Sequence, residues 1–319
     1  MCKKLKKIDY GADQNDPRWL ELRRTLGWGG SEIKTLLGAN PWQSKYALFV
    51  EKSGKVPRED ISDKEAVRLG NDLEQYVAER WMEACGKKCH KVNYILVDPE
   101  MPFAMANIDR KVAGEDAGLE CKTTSNYEIL DQCKRGFPEA YYYQCVHYLM
   151  VTGYDRWYLA VLVFGRGFYH FCLERSEVEA EIAALEKIEA EEWQNLQNGE
   201  MPEVDGSDST TAILNGMWTS NSETCVDLTP LENTLLIREK LIAQRDELDE
   251  QISACENAVR EYMGESEKGK IGKYTVSYKT GTRSSFDSKA FDKEYPDMRI
   301  PFMKQSVSRT LRITTKKEK

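Results

Sequence analysis

Apolar residues recur every three to four positions from Asp63 to Cys85, at Ala66, Leu69, Leu73, Val77 and Trp81, which predicts an amphipathic helix with Glu74 beside the apolar stripe. The pattern then changes. VNYILVD (92–98), MPFAMANIDRKVAG (101–114, broken at its start by Pro102) and LECKTTS (119–125) read as three strands, with EDAG (115–118) as the last turn. Pro138 to Val151 reads as a helix placing Gln144 and Tyr148 one turn apart on one face. RWYLAVLVFG (156–165) is a continuous apolar run, a central buried strand, and FYHFCLE (168–174) alternates as its hairpin partner. Ser176 to Asn198 carries a helical stripe of Val178, Ile182, Leu185, Ile188, Trp193 and Leu196.

Before these, WLELR (19–23) leads into the Gly27-Trp28-Gly29-Gly30 turn, and Ser31 reads as the N-cap of a short helix closed by Gly38. YALFVEKSG follows as another helix, stopped at Gly54. Residues 199–229 are rich in Gly, Ser, Asp and Thr and read as a linker. Leu231 to Tyr262 is a long charged helix with Leu241, Leu248, Ile252, Cys255, Val259 and Tyr262 in near 3–4 spacing, interrupted by Arg245; packing on its own domain is expected. A hairpin (GKIGKYTVSYKTGTRSSFD) and a last strand (SRTLRIT) complete the chain.

The 319 residues fit two domains, and 41% hydrophobic content allows a full core. No apolar run approaches the roughly 20 residues that span a bilayer. The basic start, MCKKLKKIDY, leads into no apolar segment, so a cytoplasmic protein without membrane partners is expected. Nine scattered cysteines point to reduced thiols. Cys85, Cys89 and His90 have half of a zinc-site spacing, with no second Cys/His pair to complete it. The net charge of −8 is uneven: residues 268–319 hold 14 Lys and Arg against 5 Asp and Glu. Such a tail can touch phosphates or simply balance an acidic body.

The chemistry concentrates at Glu120-Cys121-Lys122. Strand side chains alternate, so Glu120 and Lys122 share a face, and Asp109, at the end of the preceding strand, can reach the same point. Two carboxylates and an ammonium converging on one spot are costly unless a cation joins them. Oxygen ligands favour Mg²⁺, with Mn²⁺ as substitute, over Zn²⁺. Gly29-Gly30-Ser31, opening a helix, offers backbone N–H groups to an anion, with Arg23 or Arg24 as a bidentate partner.

Helix, strands with Asp then E-x-K, and a helix with Gln resemble the PD-(D/E)xK nuclease core. WLELRR, GWGGSEIKTLLG, SKYALFVEKSGKVP, GNDLE, NIDRKV, LECKT and YYYQCVHYLMVTG occur in the order of the YqaJ-like viral recombinase family, which includes the phage lambda type of exonuclease. The resemblance spans about residues 18–202 and implies a restriction-endonuclease-like α/β core, a central mixed sheet flanked by helices, with a smaller α+β region after it. The organisation expected is a nuclease domain over 1–205, a linker over 206–230, and a long helix with a small basic β region over 231–319.

By resemblance, Asp109, Glu120 and the carbonyl of Cys121 bind Mg²⁺. Lys122 orients or activates the attacking water, Glu74 adds a carboxylate, and Gln144 bonds the lysine, the water or a phosphate oxygen. Arg23 or Arg24, with Gly30 and Ser31, forms a pocket for a 5′-phosphate. The chain has one residue more than the family pattern between Trp19 and Ser31, which leaves both arginines as candidates, and Asn107 stands where Ser or another small residue is expected. The implied activity is digestion of the 5′ strand from double-stranded DNA ends. The implied partners are a phage single-strand annealing protein and two further copies in a homotrimer. An endonuclease on the same core and a non-catalytic DNA-end-binding module remain the alternatives.

Overall fold

The strand segments form the expected central mixed sheet, of five strands, and a second sheet of four. The computed structural model describes residues 4–9, 17–58, 60–218, 224–304 and 309–314, and of residues 17–20, Trp19 among them, the backbone only. In chain order the first part contains β1 (Lys6–Asp9), α1 (Pro17–Thr25), β2 (Trp28–Gly29), a 3₁₀ turn (Gly30–Glu32), α2 (Ile33–Leu36), α3 (Lys45–Lys52), α4 (Glu65–Cys85), β3 (Cys89–Lys91), β4 (Tyr94–Val97), β5 (Ala104–Ala106), β6 (Arg110–Val112) and β7 (Ala117–Thr124). After these come α5 (Tyr127–Arg135), α6 (Glu139–Thr152), β8 (Arg156–Val163), β9 (Gly167–Glu174), α7 (Glu179–Asn198) and α8 (Asp208–Met217).

One sheet has the order β1-β4-β5-β2, and the other β3-β6-β7-β8-β9. The segment expected as one strand over 101–114 therefore divides: β5 belongs to the first sheet and β6 to the second. Asp109 lies in the bend between them, immediately before β6, and not at a strand's end. Strands β7 and β8 pair in parallel, Glu120 opposite Leu159 and Lys122 opposite Val161, with α5 and α6 making the connection. The remaining neighbours in that sheet are antiparallel, so the sheet is mixed.

Strand β7 is clad differently on its two faces. Ala117 and Leu119, with Cys121 against them, pack on Val77 and Trp81 of α4. Gly118 lies across from Trp157 of β8, and a Cβ at 118 would fall 2.2 Å from the indole ring. Trp157 in turn meets the Tyr148 ring of α6, centroids 4.8 Å apart, and a Cβ on Gly30 would stand 2.7 Å from that tyrosine ring. Gly118, Trp157, Tyr148 and Gly30 thus form a column that fixes β7, α6 and the 3₁₀ turn at close range. Gly118→Ala is expected to cost about 1–3 kcal/mol through overpacking. A denaturant midpoint that does not move would refute this.

Polar residues set the element ends. Ser44 caps α3 by accepting from the Ala47 N–H, 3.0 Å, and Thr210 of α8 donates to the same hydroxyl, 2.7 Å. The stretch read as linker therefore contains a helix tied to α3. Its start, Ser207 at the N-cap, follows the usual side-chain rule. Ser31 does not cap: it sits inside the 3₁₀ turn, whose N-cap is Gly29, and α2 has four residues, too few for a helix dipole to matter.

The chain divides into two compact units, Met1–Thr219 with Thr310–Lys319, and Ser220–Arg309. The second contains α9 (Glu232–Met263), an antiparallel hairpin of β10 (Lys268–Ile271) and β11 (Tyr274–Ser277), and α10 (Ser288–Glu294). Helix α9 meets its own unit near its C-terminus, where Val259, Arg260 and Met263 line a cleft with Val276 and Tyr278, and Met263 is the one residue buried along it among those described. Arg309 to Thr314 form no strand, and Ser308 of the expected SRTLRIT strand lies outside the described residues.

Candidate active site

A cleft of about 320 Å³ opens where the two sheets diverge. Its walls bring together Asp109, Glu120, Cys121, Lys122, Gln144, Glu74, Arg23, Gly30 and Ser31, nine of the ten residues singled out from the sequence. The period-2 geometry of β7 places Glu120 and Lys122 on its floor. The first turns of α4 supply Ala66, Gly70 and Glu74 along one wall. Of the apolar stripe on α4, Ala66 lines the cleft and Leu69 is exposed, while Val77 and Trp81 further along are buried in the core.

Glu120 is 2% exposed. Its Oε1 accepts from Gln144 Nε2 at 2.7 Å and pairs with Lys122 Nζ at 2.7 Å. Its Oε2 is buried without a partner. A buried, unpaired carboxylate oxygen is costly, and Glu120 lines the cleft together with Asp109 and Glu74. Asp109 Oδ2 accepts from the Cys121 N–H at 2.8 Å. Burial, with Glu120 and Glu74 close by, pushes the Asp109 carboxyl well above the usual carboxylate range, while Lys122 and the Cys121 N–H pull the other way. Burial alone would lower Lys122, but Glu120 and Asp109 outweigh it and raise its ammonium above the ordinary lysine value. The ammonium also lies 5.6 Å from the centre of the Tyr141 ring.

Glu74 is held by Arg110, whose guanidinium also donates to the Asp109 carbonyl at 2.9 Å and to Gln75 at 3.1 Å. Arg110 is buried and has no role in the sequence reading. It stands in the quoted NIDRKV segment, but its direction depends on the bend at Asp109. Gln144 bonds Glu120 and not Lys122, and it donates as well to the Tyr148 hydroxyl, 3.0 Å, which donates to the Asn107 carbonyl, 2.9 Å. Asn107 Oδ1 is a second buried oxygen without a partner.

Arg23 and Arg24 part ways. Arg23 donates to Ser31 Oγ at 2.7 Å at the edge of the cleft. Arg24 pairs with Glu21 and donates to the Lys52 carbonyl outside the cleft. Behind the Gly29–Ser31 turn lies a cluster the sequence reading lacks. Buried Glu32 takes the Gly29 N–H at 2.9 Å and is surrounded by Lys52 at 2.8 Å, Arg58 at 3.4 Å and Arg23 at 3.9 Å. Three cations around one carboxylate leave the turn electropositive. The anion affinity expected from a helix N-terminus would come from these side chains.

A second buried pair fixes α6. His147 Nε2 donates to the Met105 carbonyl of β5, 2.9 Å, and Nδ1 meets Glu189 of α7 at 2.7 Å. Glu189 also accepts the Trp28 indole N–H at its carbonyl, 3.0 Å. The helix that carries Gln144 and Tyr148 is thereby pinned to the β5 sheet and to α7.

Among the described residues no three His, Cys, Asp or Glu side chains gather as a cage for a metal ion. Asp109 and Glu120 offer two carboxylates, and Glu74 is engaged by Arg110. That donor set fits an ion such as Mg²⁺, which binds through one or two carboxylates and keeps several of its waters.

An α/β protein with a central mixed sheet flanked by helices, a smaller second unit, and a carboxylate–lysine cleft at the sheet divergence is the class that fold and cleft define. The chain belongs to the YqaJ-like family: the profile of the YqaJ-like viral recombinase domain matches residues 18–155, and the uncharacterized YqaJ protein of Bacillus subtilis strain 168 is 33% identical over 306 residues, 93% of each chain. Among solved structures, an alkaline exonuclease from Laribacter hongkongensis is similar with a TM-score of 0.43 and 18% identity, covering 57% of this chain and 96% of that one. A phage-related exonuclease from Haemophilus somnus 129PT gives 0.41 and 12%, covering 55% and 96%. Likenesses at that level carry no weight for activity. Among the described residues, no helix is long and apolar enough to cross a membrane.

Proposed function

We propose that this chain is a divalent-metal-dependent DNA exonuclease that hydrolyses the 5′ strand at double-stranded ends and releases 5′-mononucleotides. The 3′ strand would pass to a single-strand annealing protein for recombination. The observation that carries the proposal is Glu120: one carboxylate oxygen is fixed by Gln144 and Lys122, and the other is buried, unpaired and beside Asp109. Membership of a viral recombinase family supports DNA as the substrate.

Asp109 and Glu120 would hold Mg²⁺, with the Cys121 carbonyl as a further ligand. When bound, the ion supplies a Lewis acid and a source of hydroxide at neutral pH. The protein's own groups do the rest. Lys122, kept protonated by Glu120 and Asp109, acts as a donor to the phosphate as negative charge grows on it, and can hold the incoming water. Gln144 keeps the Glu120 carboxylate in one orientation, and Tyr148 keeps Gln144 in place. Glu74 acts through Arg110, which braces the Asp109 bend.

Arg23 with Ser31, backed by Lys52 and Arg58, would receive the 5′-phosphate. Arg23→Ala is expected to remove the preference for 5′-phosphorylated over 5′-hydroxyl ends, whereas Arg24→Ala leaves it intact. Equal digestion of both ends by the wild-type protein would refute the pocket. The function is tested with linear duplex labelled separately on each 5′ end, beside nicked and closed circles. Loss of the 5′ strand from linear DNA alone is expected, and cutting of closed circles would move the chain to the endonucleases.

A further inference from the structure

A second cavity, of about 550 Å³, adjoins the cleft. Gly30, Ser31, Lys122 and Gln144 line both. The second cavity therefore borders the Arg23–Ser31 pocket at one point and Lys122 at another. Trp42, Tyr141 and Tyr143 add aromatic rings to its lining. Trp42 is 87% exposed, although tryptophan is highly buried on average. Its backbone is tied down. The Trp42 N–H donates to Asn40 Oδ1 at 3.0 Å, and Asn40 Nδ2 donates to Thr35 Oγ1 of α2 at 2.8 Å, so a fixed turn holds the indole out in solvent. Tyr143, 38% exposed, is backed edge-on by Tyr142, ring centroids 5.4 Å apart.

The lining says what fits. Lys34 and Lys122 are matched by Glu128 and Glu139, so the cavity carries no net charge, whereas a sugar–phosphate backbone is tracked by a basic groove. A neutral cavity of this size with exposed aromatic rings suits an unpaired nucleobase. We propose that it receives the base of the 5′-terminal nucleotide, stacked on Trp42 and Tyr143. The proposal rests on the nuclease reading, in which that nucleotide lies between the 5′-phosphate at Arg23 and Ser31 and the scissile phosphate at Lys122. Ser31 and Lys122 are both in the shared wall, so the base of such a nucleotide has this cavity beside it. The side-chain oxygens of Asn40, Asn126 and Gln132 in the lining already accept the backbone N–H groups of Trp42, Glu128 and Ala140. Few acceptors are left to read a base edge, and stacking tolerates every base.

The test compares deoxyadenosine 5′-monophosphate with 2-deoxyribose 5-phosphate by calorimetric titration in Mg²⁺, for the full-length wild type, Trp42→Ala and Trp42→Phe. The nucleotide is expected to bind the wild type about tenfold tighter than the sugar phosphate, the effect of one base–aromatic stack. Trp42→Ala is expected to lose that preference and keep its melting temperature, and Trp42→Phe to retain most of the preference. Equal affinities in the wild type, no measurable nucleotide binding, or a full preference in Trp42→Ala would overturn the proposal. Single-turnover digestion of linear duplex separates it from the reading it rests on. A 5′-phosphorylated abasic end is expected to be removed about tenfold more slowly than an ordinary end by the wild type, and at the same rate as an ordinary end by Trp42→Ala. Removal of both ends at one rate by the wild type would overturn the base cavity and leave the nuclease. A nucleotide preference without digestion of DNA would overturn the nuclease and leave the cavity as a base site.

Discussion

Lys122→Ala is expected to lower DNA turnover by about 10²–10³-fold, the usual cost of removing one donor aimed at developing charge. Binding to DNA ends should stay within a few-fold of wild type, because the pocket around Arg23 and Ser31 is untouched. The expectation rests on geometry. The ammonium is 2.7 Å from Glu120, and Glu120 and Asp109 together raise its affinity for its proton against the effect of burial. A charge held in this way is preorganised and needs no rearrangement during reaction. Single-turnover rates beside end-binding titrations separate the two effects. Equal loss of binding and rate would make Lys122 a substrate-holding residue, and an unchanged rate would remove it from the chemistry.

His147→Ala is expected to destabilise the first unit by about 3–5 kcal/mol, the cost of leaving a buried partner uncompensated. Burial lowers the affinity of His147 for its proton, but Glu189 at 2.7 Å outweighs this and raises it above the ordinary histidine value. Burial also raises the Glu189 carboxyl, with His147 opposing. Both shifts have the same sign: the folded pair keeps its proton where the unfolded chain releases it. The contribution of His147 is complete below the unfolded value of about 6.5 and fades as pH rises through the folded one. The wild-type melting temperature should therefore fall from neutral towards alkaline pH more steeply than that of His147→Ala. Parallel pH profiles for the two proteins would show that the pair does not titrate with folding. Because α6 also carries Gln144 and Tyr148, the variant should lose activity on heating before it loses helix content.

Much of this site was legible in the sequence because its chemistry follows a local period. Glu120 and Lys122 share a face of β7 for the same reason that any E-x-K does in a strand, and Gln144 and Tyr148 are one helical turn apart. The misreadings come where direction depends on distant packing. Alternation puts Asp109 at a strand's end, yet it stands in the bend where the chain leaves one sheet for another, a junction that alternation within one segment does not reveal. Arg110 gives no signal in the sequence, because its pairing with Glu74 depends on that bend. Ser31 has the composition of an N-cap, but Glu32 takes the Gly29 N–H and Ser31 is left to accept from Arg23. Helix α5, with only Leu130 and Cys133 buried, offers little periodicity to read. Helix α8 hides in a polar stretch because it is held largely by hydroxyls, Ser209 and Thr210 on Ser44. For α9 the heptad spacing was visible in the sequence, but that its apolar side stays open was not.

The most direct measurement is calorimetric titration of Mn²⁺ into the DNA-free protein, for wild type and for Asp109→Asn with Glu120→Gln. The proposed cleft predicts saturable binding by the wild type, abolished in the double variant while its melting temperature is kept. Undiminished Mn²⁺ binding by the double variant, or DNA cleavage by the wild type that continues in EDTA, would contradict a metal-dependent nuclease built on these two carboxylates.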